Sequence, residues 1–310
     1  MNTPLVSICI PAFKADRFLP ETLASVRAQT FTHWEVIVTE DGTKDKTEEL
    51  VAAFAKTVSQ PVIYNRHEIN RGLPHTRNTG IGAARGQWIA FLDADDFWAP
   101  DHLETLVETT NKASYDLVFA GSQLFDHESR KTVGVRMPSQ KHLNALPFSL
   151  FMGSLSVMPS SVLIRRESFD RFGLVSIEFR RVNDTEYWLR VLRQGGTIGF
   201  GGKATCIYRQ HAGSLTQSSA VGQFVDSARL CELYADWDAI PNHAKRSRPA
   251  NLYRWAANLI AAQDPHKALE LLKQSRRTDP SNVKTLLSFP RVMIRCLRRE
   301  KKQSPQIGCA

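Results

Sequence analysis

Along its first hundred residues the chain alternates short apolar runs with longer amphipathic stretches. Val6-Ser7-Ile8-Cys9-Ile10, Glu35-Val36-Ile37-Val38-Thr39, Val62-Ile63-Tyr64 and Trp88-Ile89-Ala90-Phe91-Leu92 are rich in β-branched and aromatic residues and read as strands. The first is expected to stop at Pro11 and the second at Glu40-Asp41-Gly42. Between them the period changes. Leu19 to Gln29 carries Leu19, Leu23 and Val26 at helical spacing, and Thr47 to Thr57 and Leu73 to Ala84 read as two further helices. Strands separated by helices predict an α/β fold with a mostly parallel sheet and right-handed crossovers.

The same alternation continues more loosely. Asp101 to Asn111 and Thr185 to Gln194 read as helices, and Leu117 to Ala120 and Ala204 to Arg209 as strands. Residues 127–160 resist assignment and are expected to contain long loops, a common place for binding segments. After about Ser219 the strand signal ends and helices dominate, which divides the chain into residues 1–218 and a helical region 219–310. Leu252, Trp255, Ala256, Leu259, Ala268, Leu272 and Pro280 fit one tetratricopeptide-like helix pair. A solenoid needs about three such units, so a hairpin packed on the main domain is expected instead.

Composition changes this picture in one place. The 310 residues carry a formal charge of +9, but from Val283 onward seven Lys/Arg face the single acid Glu300. The basicity is mostly a property of the tail, and no nucleic-acid partner follows from it. In that tail Leu286, Leu287, Phe289, Val292, Met293, Ile294 and Leu297 interleave with Arg291, Arg295, Arg298 and Arg299. Two readings stand side by side: peripheral contact with an anionic membrane, or a last helix packed on the domain. No run is long enough to span a bilayer and no basic-then-apolar leader opens the chain, so a cytoplasmic protein is expected, on the inner membrane face if the tail binds lipid. The five cysteines, Cys9, Cys206, Cys231, Cys296 and Cys309, have no metal-ligand spacing and predict no disulfide framework.

The strongest chemical signal is the end of the fourth strand, Asp93-Ala94-Asp95-Asp96. Three adjacent carboxylates repel one another unless a cation joins them, and such oxygens suit Mg²⁺ or Mn²⁺ bridging to a phosphate. The plainer reading is a solvated turn with Asp96 capping the next helix. Pro11-Ala12-Phe13, Glu40-Asp41-Gly42-Thr43 and His75-Thr76-Arg77-Asn78 also adjoin strands, so all four clusters are expected at the carboxyl edge of one sheet, where α/β proteins bind ligands. Gly80-Ile81-Gly82-Ala83-Ala84-Arg85-Gly86 mimics a dinucleotide fingerprint, but its last glycine falls one place late and it precedes a strand.

Taken in order, Val6 to Phe13, Glu40-Asp41-Gly42-Thr43, Arg77-Asn78-Thr79-Gly80 and Phe91 to Asp96 resemble a family 2 glycosyltransferase. The likeness is dense over residues 5–98 and resumes over 160–216, leaving the helical C-terminus uncovered. It implies the GT-A nucleotide-sugar-binding fold, Rossmann-like with a mostly parallel sheet flanked by helices, here with a C-terminal helical extension. It also implies an inverting, metal-dependent transferase that moves a sugar from a nucleotide diphosphate, UDP by the match at Asp41, to an acceptor hydroxyl. The acceptor expected is a glycan or lipid-linked glycan of cell-surface polysaccharide, lipopolysaccharide or glycolipid synthesis, and the cofactor is Mn²⁺ or Mg²⁺.

Residue by residue, the resemblance places Pro11 and Phe13 at the nucleotide, although Phe13 lacks the hydroxyl of the usual Tyr. Asp41 matches the reader of the uracil edge, with Glu40 in place of the usual Asp beside it. Arg77 matches the basic residue that contacts diphosphate or supports the carboxylates. Asp93 faces the ribose and metal, Asp95 is the metal ligand, and Asp96 supports them. Asn183-Asp184-Thr185-Glu186-Tyr187-Trp188-Leu189-Arg190 resembles the acid-then-helix segment whose acid, Asp184, is the catalytic base. Asn183 departs from the usual Glu, and its spacing to Glu186 equally fits a helix capping box. Tyr208-Arg209-Gln210-His211-Ala212-Gly213-Ser214 resembles a late segment in which His211 reaches metal or diphosphate, with Arg209 and Ser214 nearby. Ser160 and Ser161 lie in an acceptor-side segment.

Two other functions compete. A nucleotidyltransferase is expected to carry a basic Gly-rich loop after the first strand, and Pro11-Ala12-Phe13-Lys14-Ala15 has no glycine. A sugar-nucleotide-binding or helical scaffold without catalysis remains open through Phe13, Glu40 and Asn183, and Asp93, Asp95 and Asp184 together oppose it.

Overall fold

In the first strand a proline sits inside a parallel ladder, and the pairing explains why it is tolerated. The computed structural model describes residues 3–211, 213 and 220–303, with the backbone alone over 295–303. Strand β1 (Val6–Ala12) runs one residue beyond Pro11, and β2 (Trp34–Asp41) runs through Glu40 and Asp41 instead of stopping before them. Cys9 presents its carbonyl to Leu92 N–H on the β4 (Trp88–Phe91) side. Two residues on, Pro11 presents the same edge past the end of β4, so its missing N–H has no ladder partner to lose.

The chain divides into two compact units, Met1–Ala212 and Gly213–Ala310. In the first, β1 pairs in parallel with β2 and β4, and β2 with β3 (Val62–His67). Beyond β4, strand β8 (Val162–Arg165) runs antiparallel to both β4 and β6 (Leu117–Asp126). Strand β9 (Ile198–Gln210) is parallel to β6, short β5 (Phe97–Trp98) is antiparallel to β9, and β7 (Lys131–Arg136) forms a hairpin with the far end of β6. The sheet order is β3-β2-β1-β4-β8-β6-β9-β5. Every residue of β1, β2 and β4 is buried, as their apolar runs require. Glu35 is the exception in chemistry and not in burial. It accepts Ser7 Oγ at 2.6 Å, Arg85 N–H at 2.8 Å and two guanidinium contacts from Arg85 at 2.9 and 2.7 Å. That same approach leaves no room at Gly86, where a Cβ would lie 2.7 Å from Ser7 N. The glycines that mimic a dinucleotide fingerprint therefore include one serving strand packing.

Helices α1 (Leu19–Arg27), α2 (Thr47–Ala55), α3 (Leu73–Ala83) and α4 (His102–Thr110) lie where the periodicity places them. The region 127–160 departs from the expectation of long loops: it holds β7, α5 (Gln140–Asn144) and α6 (Phe148–Phe151). Strand β7 hid because it is exposed along nearly its whole length and so has no alternation to read. Helices α7 (Glu167–Phe172) and α8 (Asn183–Arg193) complete the first unit.

The second unit contains α9 (Ala220–Leu233), α10 (Asn242–Ile260), α11 (Pro265–Thr278) and α12 (Val283–Gln303). Successive helices pack on one another, so the expected hairpin is part of a four-helix array among the described residues. Leu252, Ala256, Ala268 and Leu272 are buried there, whereas Trp255 and Leu259 stay exposed. Ser275 Oγ donates to the Ala250 carbonyl at 2.7 Å across the α10–α11 contact.

Candidate active site

One buried guanidinium joins two halves of the site. Helix α3 begins after Gly72, whose φ of 89° suits glycine, and carries Pro74 in its first turn. One turn on, Arg77 points inward and is buried. Its Nη2 donates to Asp93 Oδ1 at 2.8 Å, and its Nη1 donates to Asn183 Oδ1 at 2.7 Å. Asp93 leaves the end of β4 and Asn183 opens α8, more than a hundred residues away from Arg77 in sequence. The neighbouring Asn78 fixes the approach to α8, exchanging hydrogen bonds with Val175 N–H and C=O at 3.0 and 2.9 Å.

This geometry removes the capping-box reading of α8. The N-cap is Val182, without a side-chain cap, and Asn183 lies inside the helix. Glu186 turns to Arg190, at 3.0 and 2.9 Å. Asp184 is half-buried in the first turn, and its Oδ1 accepts Thr185 N–H at 2.7 Å. Burial pushes its carboxyl above the usual range; Arg77 and the Thr185 N–H oppose the rise and the Asp93 charge adds to it.

The three acids after β4 have three different surroundings. Asp93 is on Arg77, and its N–H donates to Ser160 Oγ at 3.0 Å. Asp95 is partly exposed, and its Oδ2 lies 3.0 Å from His211 Nε2. Asp96 is buried: its Oδ2 accepts Ser160 Oγ–H at 2.5 Å and its Oδ1 accepts Arg209 N–H at 2.9 Å. Burial, with the charges of Asp95 and Asp93, pushes the Asp96 carboxyl well above its usual range. A solvated turn with a capping Asp96 does not survive this, since β5 follows Asp96 and Asp101 is the N-cap of α4. Arg209 is fully buried. Its Nε donates to the Asp95 carbonyl at 2.6 Å and its Nη2 pairs with Glu21 at 2.8 Å. Ser160 and Ser161 are buried as well, Ser160 bracing the acids and Ser161 donating to the Met158 carbonyl at 2.7 Å, so neither hydroxyl is open to an acceptor substrate. Ser214 lies outside the described residues.

A second cluster, around Asp41, is built separately. Asp41, at the end of β2, accepts Arg71 N–H and Gly72 N–H at 2.8 Å each, and His67 Nδ1 lies 2.8 Å from its Oδ1. Burial raises its carboxyl, but the Arg71 N–H, His67 and the Gly72 N–H outweigh it and hold it below the usual range. Three of a carboxylate's roughly four acceptor positions are thus taken by protein. Glu40 is buried and serves structure, accepting the Tyr64 hydroxyl and, at 2.8 Å, Thr43 Oγ1. Next to it Gly42 has a φ of 70°, and a Cβ there would lie 2.3 Å from Ile69 C. Pro11 is buried in β1, whereas the Phe13 ring is 50% exposed with Lys14 Nζ 5.4 Å above it. A cavity of about 300 Å³ opens beside this cluster, lined by Arg71, His75, Asn78, Thr79 and Ile177. His67 Nε2 is 2.9 Å from Thr79 Oγ1, which ties that lining to Asp41.

His67, Glu21 and Phe18, whose ring lies 4.5 Å from that of His211, carry this arrangement and had no local signal in the sequence. Each acts through a partner at least 26 positions away, apart from the His67–Thr79 contact. Among the described residues no group of three or more His, Cys, Asp and Glu is arranged to hold a metal. Asp95 and His211 offer one oxygen and one imidazole donor side by side, which fits a hard divalent ion that takes its remaining ligands from substrate phosphates and water.

The family described as glycosyl transferase family 2 matches residues 7–173, more than half of the chain. The chain is 29% identical over 227 residues to the uncharacterized glycosyltransferase EpsJ of Bacillus subtilis, covering 69% of this chain and 63% of EpsJ. It is 28% identical over 242 residues to the UDP-Glc:alpha-D-GlcNAc-diphosphoundecaprenol beta-1,3-glucosyltransferase WfgD of Escherichia coli, covering 77% of this chain and 87% of that one. In fold it is similar to S. aureus TarS 1-349 in complex with UDP-GlcNAc, with a TM-score of 0.66, 17% identity, and 88% and 81% of the two chains covered. The mannosyltransferase PcManGT from Pyrobaculum calidifontis, in complex with GDP-Man and Mn²⁺, gives 0.62, 16% identity, and 98% and 89% coverage. The α/β architecture with its mostly parallel sheet is the GT-A fold of these enzymes.

Proposed function

We propose a reaction from one premise: the chain belongs to glycosyl transferase family 2. It transfers a sugar from a UDP-sugar to an acceptor hydroxyl, with inversion at the anomeric carbon. The observation that carries this reading is the Arg77 bridge, which ties the donor-side acid Asp93 to the start of the helix bearing Asp184. Asp184 takes the proton of the attacking hydroxyl. Its raised carboxyl suits that task, because a base works best with a pKa near the operating pH. Asp184 attacks nothing itself; the acceptor oxygen displaces the diphosphate in one step from the opposite face, and one displacement inverts. Arg77 supplies fixed positive charge where the diphosphate leaves.

Asp95 and His211 would hold Mn²⁺ or Mg²⁺, which when bound supplies further positive charge to the leaving diphosphate. On the nucleotide side Asp41 retains an acceptor position for a base N–H, and the exposed Phe13 ring offers a stacking face. WfgD, named for UDP-Glc, and the TarS complex with UDP-GlcNAc favour uridine, and the PcManGT complex with GDP-Man supplies the contrast. WfgD is named for a diphosphoundecaprenol-linked acceptor, which favours a lipid-linked glycan of cell-surface polysaccharide synthesis here. Nucleotide release from UDP-, GDP- and dTDP-sugars with Mn²⁺ tests the reading. Release from UDP-sugars alone is expected; preference for GDP-sugars removes the uridine assignment, and release from none favours the scaffold.

The second unit adds a membrane contact on the cytoplasmic face. In α12 Thr285, Ser288 and Val292 are buried, while Val283, Leu286, Leu287, Met293 and Ile294 stay exposed beside Lys284 and Arg291. Exposed apolar groups flanked by cations suit an anionic lipid surface. No helix among the described residues is long and apolar enough to cross a membrane. The 310-residue chain is expected to sediment with phosphatidylglycerol vesicles and a chain ending at residue 282 is not; equal sedimentation refutes the contact.

A further inference from the structure

Around one phenyl ring the chain gathers four nitrogen-rich groups from three distant segments. Phe18, just before α1, is nearly buried. Arg17 lies over its ring with Cζ at 4.9 Å and Arg209 at 5.0 Å. The His127 ring meets it edge-on at 5.0 Å between centroids, and the His211 ring lies at 4.5 Å. His211 belongs to the Asp95 pair described above. Arg17 and His127 have no part in the reaction as derived so far, and both pack on the Phe18 ring that His211 also meets.

The hydrogen bonds within this group do not balance. Arg17 Nη2 is 2.8 Å from His127 Nε2, and Arg209 Nη1 is 3.3 Å from His127 Nδ1. Guanidinium nitrogens only donate, and a neutral imidazole has a single acceptor nitrogen. It can receive one of the two arginines and not both; a protonated imidazole receives neither. In either state at least one of the two arginines has no acceptor on His127 itself. Neighbouring carboxylates do not fill the gap. Glu21 is shared by Arg209 at 2.8 Å and Arg130 at 3.1 Å, Asp126 accepts Ser129 N–H at 2.8 Å, and Asp95 is on His211. Arg17 has no carboxylate partner among the described residues. An anion with several acceptor oxygens would give Arg17 and His127 a shared partner.

We propose that Arg17 and His127 form a binding element for a phosphate group of a substrate, beside the Asp95–His211 pair. The inference rests on the glycosyl-transfer reading, which brings phosphate to this place from two sources, the donor diphosphate or a phosphate-linked acceptor. The guanidinium fork of Arg17 meets phosphate oxygens in a paired geometry that Lys does not reproduce. Both side chains are accessible, Arg17 exposed and His127 half-buried, so their replacement leaves the core intact.

The test uses the full chain, its Arg17→Gln, His127→Gln and Arg17→Lys variants, and inorganic pyrophosphate as the probe, by calorimetry without divalent ions. Losing one charge-assisted contact is expected to weaken pyrophosphate about tenfold in the Gln variants, with Arg17→Lys recovering only part of it. Initial rates then locate the phosphate. A rise confined to the donor KM assigns it to the UDP-sugar, and a rise confined to the KM of a phosphate-linked acceptor, absent with a phosphate-free acceptor, assigns it to the acceptor. Pyrophosphate affinity equal to the parent in both Gln variants overturns the proposal. A parent protein that transfers no sugar refutes the glycosyl-transfer reading instead, and the pyrophosphate comparison separates the two failures.

Discussion

Replacing Asp184 with Asn distinguishes a base from a helix-start acid, because the two roles predict opposite changes in stability. As a base, the carboxylate contributes about 10²- to 10⁴-fold to the rate. Its loss therefore raises the barrier by about 3–5 kcal/mol. As a helix-start acid it favours the dipole of α8 by about 0.3–1 kcal/mol, and Asn removes that charge. The Thr185 N–H bond at 2.7 Å survives either way, since the Asn carbonyl can accept it. Burial acts in the other direction. The Asp184 carboxyl is raised in the folded chain, so the folded state holds its proton to higher pH than the unfolded state does. Stability is then highest below the unfolded carboxylate range and falls as pH rises through the raised folded value. The Asn variant has no charge to bury and avoids this fall. The expected result is at least a hundredfold loss of kcat with UDP affinity unchanged, and a Tm equal to or above the parent at neutral pH. The advantage in Tm is expected to vanish at low pH. Differential scanning calorimetry across pH, with nucleotide-release assays, measures both. Rates within tenfold of the parent, or a Tm several degrees lower at neutral pH, refute the assignment and leave Asp184 as a structural acid.

Arg77→Met strips the buried Asn183 of its donor and Asp93 of its ion pair, and is expected to cost about 2–4 kcal/mol in urea denaturation. Because Arg77 opposes the rise of the Asp184 carboxyl, whatever activity remains should lose its acid limb at higher pH than in the parent. Ser160→Ala removes the donor to Asp96 and the acceptor of Asp93 N–H, with an expected loss of about 1–3 kcal/mol by the same measurement. Gly42→Ala forces a Cβ to 2.3 Å from Ile69 C at a φ of 70°, and is expected to destabilise by at least about 2 kcal/mol. Asp95→Ala should weaken Mn²⁺-dependent UDP binding about tenfold or more while leaving metal-free binding unchanged; an unaltered metal requirement in calorimetry would remove Asp95 as a ligand.

Much of the fold was legible because its central strands are buried on both faces. Such strands must be apolar throughout, so β1, β2 and β4 stand out without any knowledge of their partners. Strand β7 escaped because it lacks that constraint: it is exposed and shows no alternation. The four clusters were visible at strand ends, yet their division of labour was not. Glu40 and Asp96, read in sequence as supporting residues of their clusters, are braced in the interior by Tyr64 and Ser160. The apparent capping box at Asn183 and Glu186 dissolves once Arg77 and Arg190 claim those side chains.

The amino-acid order by itself determined where strands and helices alternate, which carboxylates gather after β4, and which family the first half belongs to. These depend on residues close together in the chain, where backbone geometry and burial act locally. Only the tertiary structure decided that Asp93, Asp95 and Asp96 are three different groups, one on an arginine, one beside a histidine and one sealed in the core. It alone brought Arg17 and His127 together across 110 positions, and Arg77 to Asn183 across 106. Protonation, hydrogen-bond balance and desolvation are set by what surrounds a side chain within a few ångströms. That surrounding is chosen by sheet order, which places β8 between β4 and β6, and no local pattern in the chain encodes it.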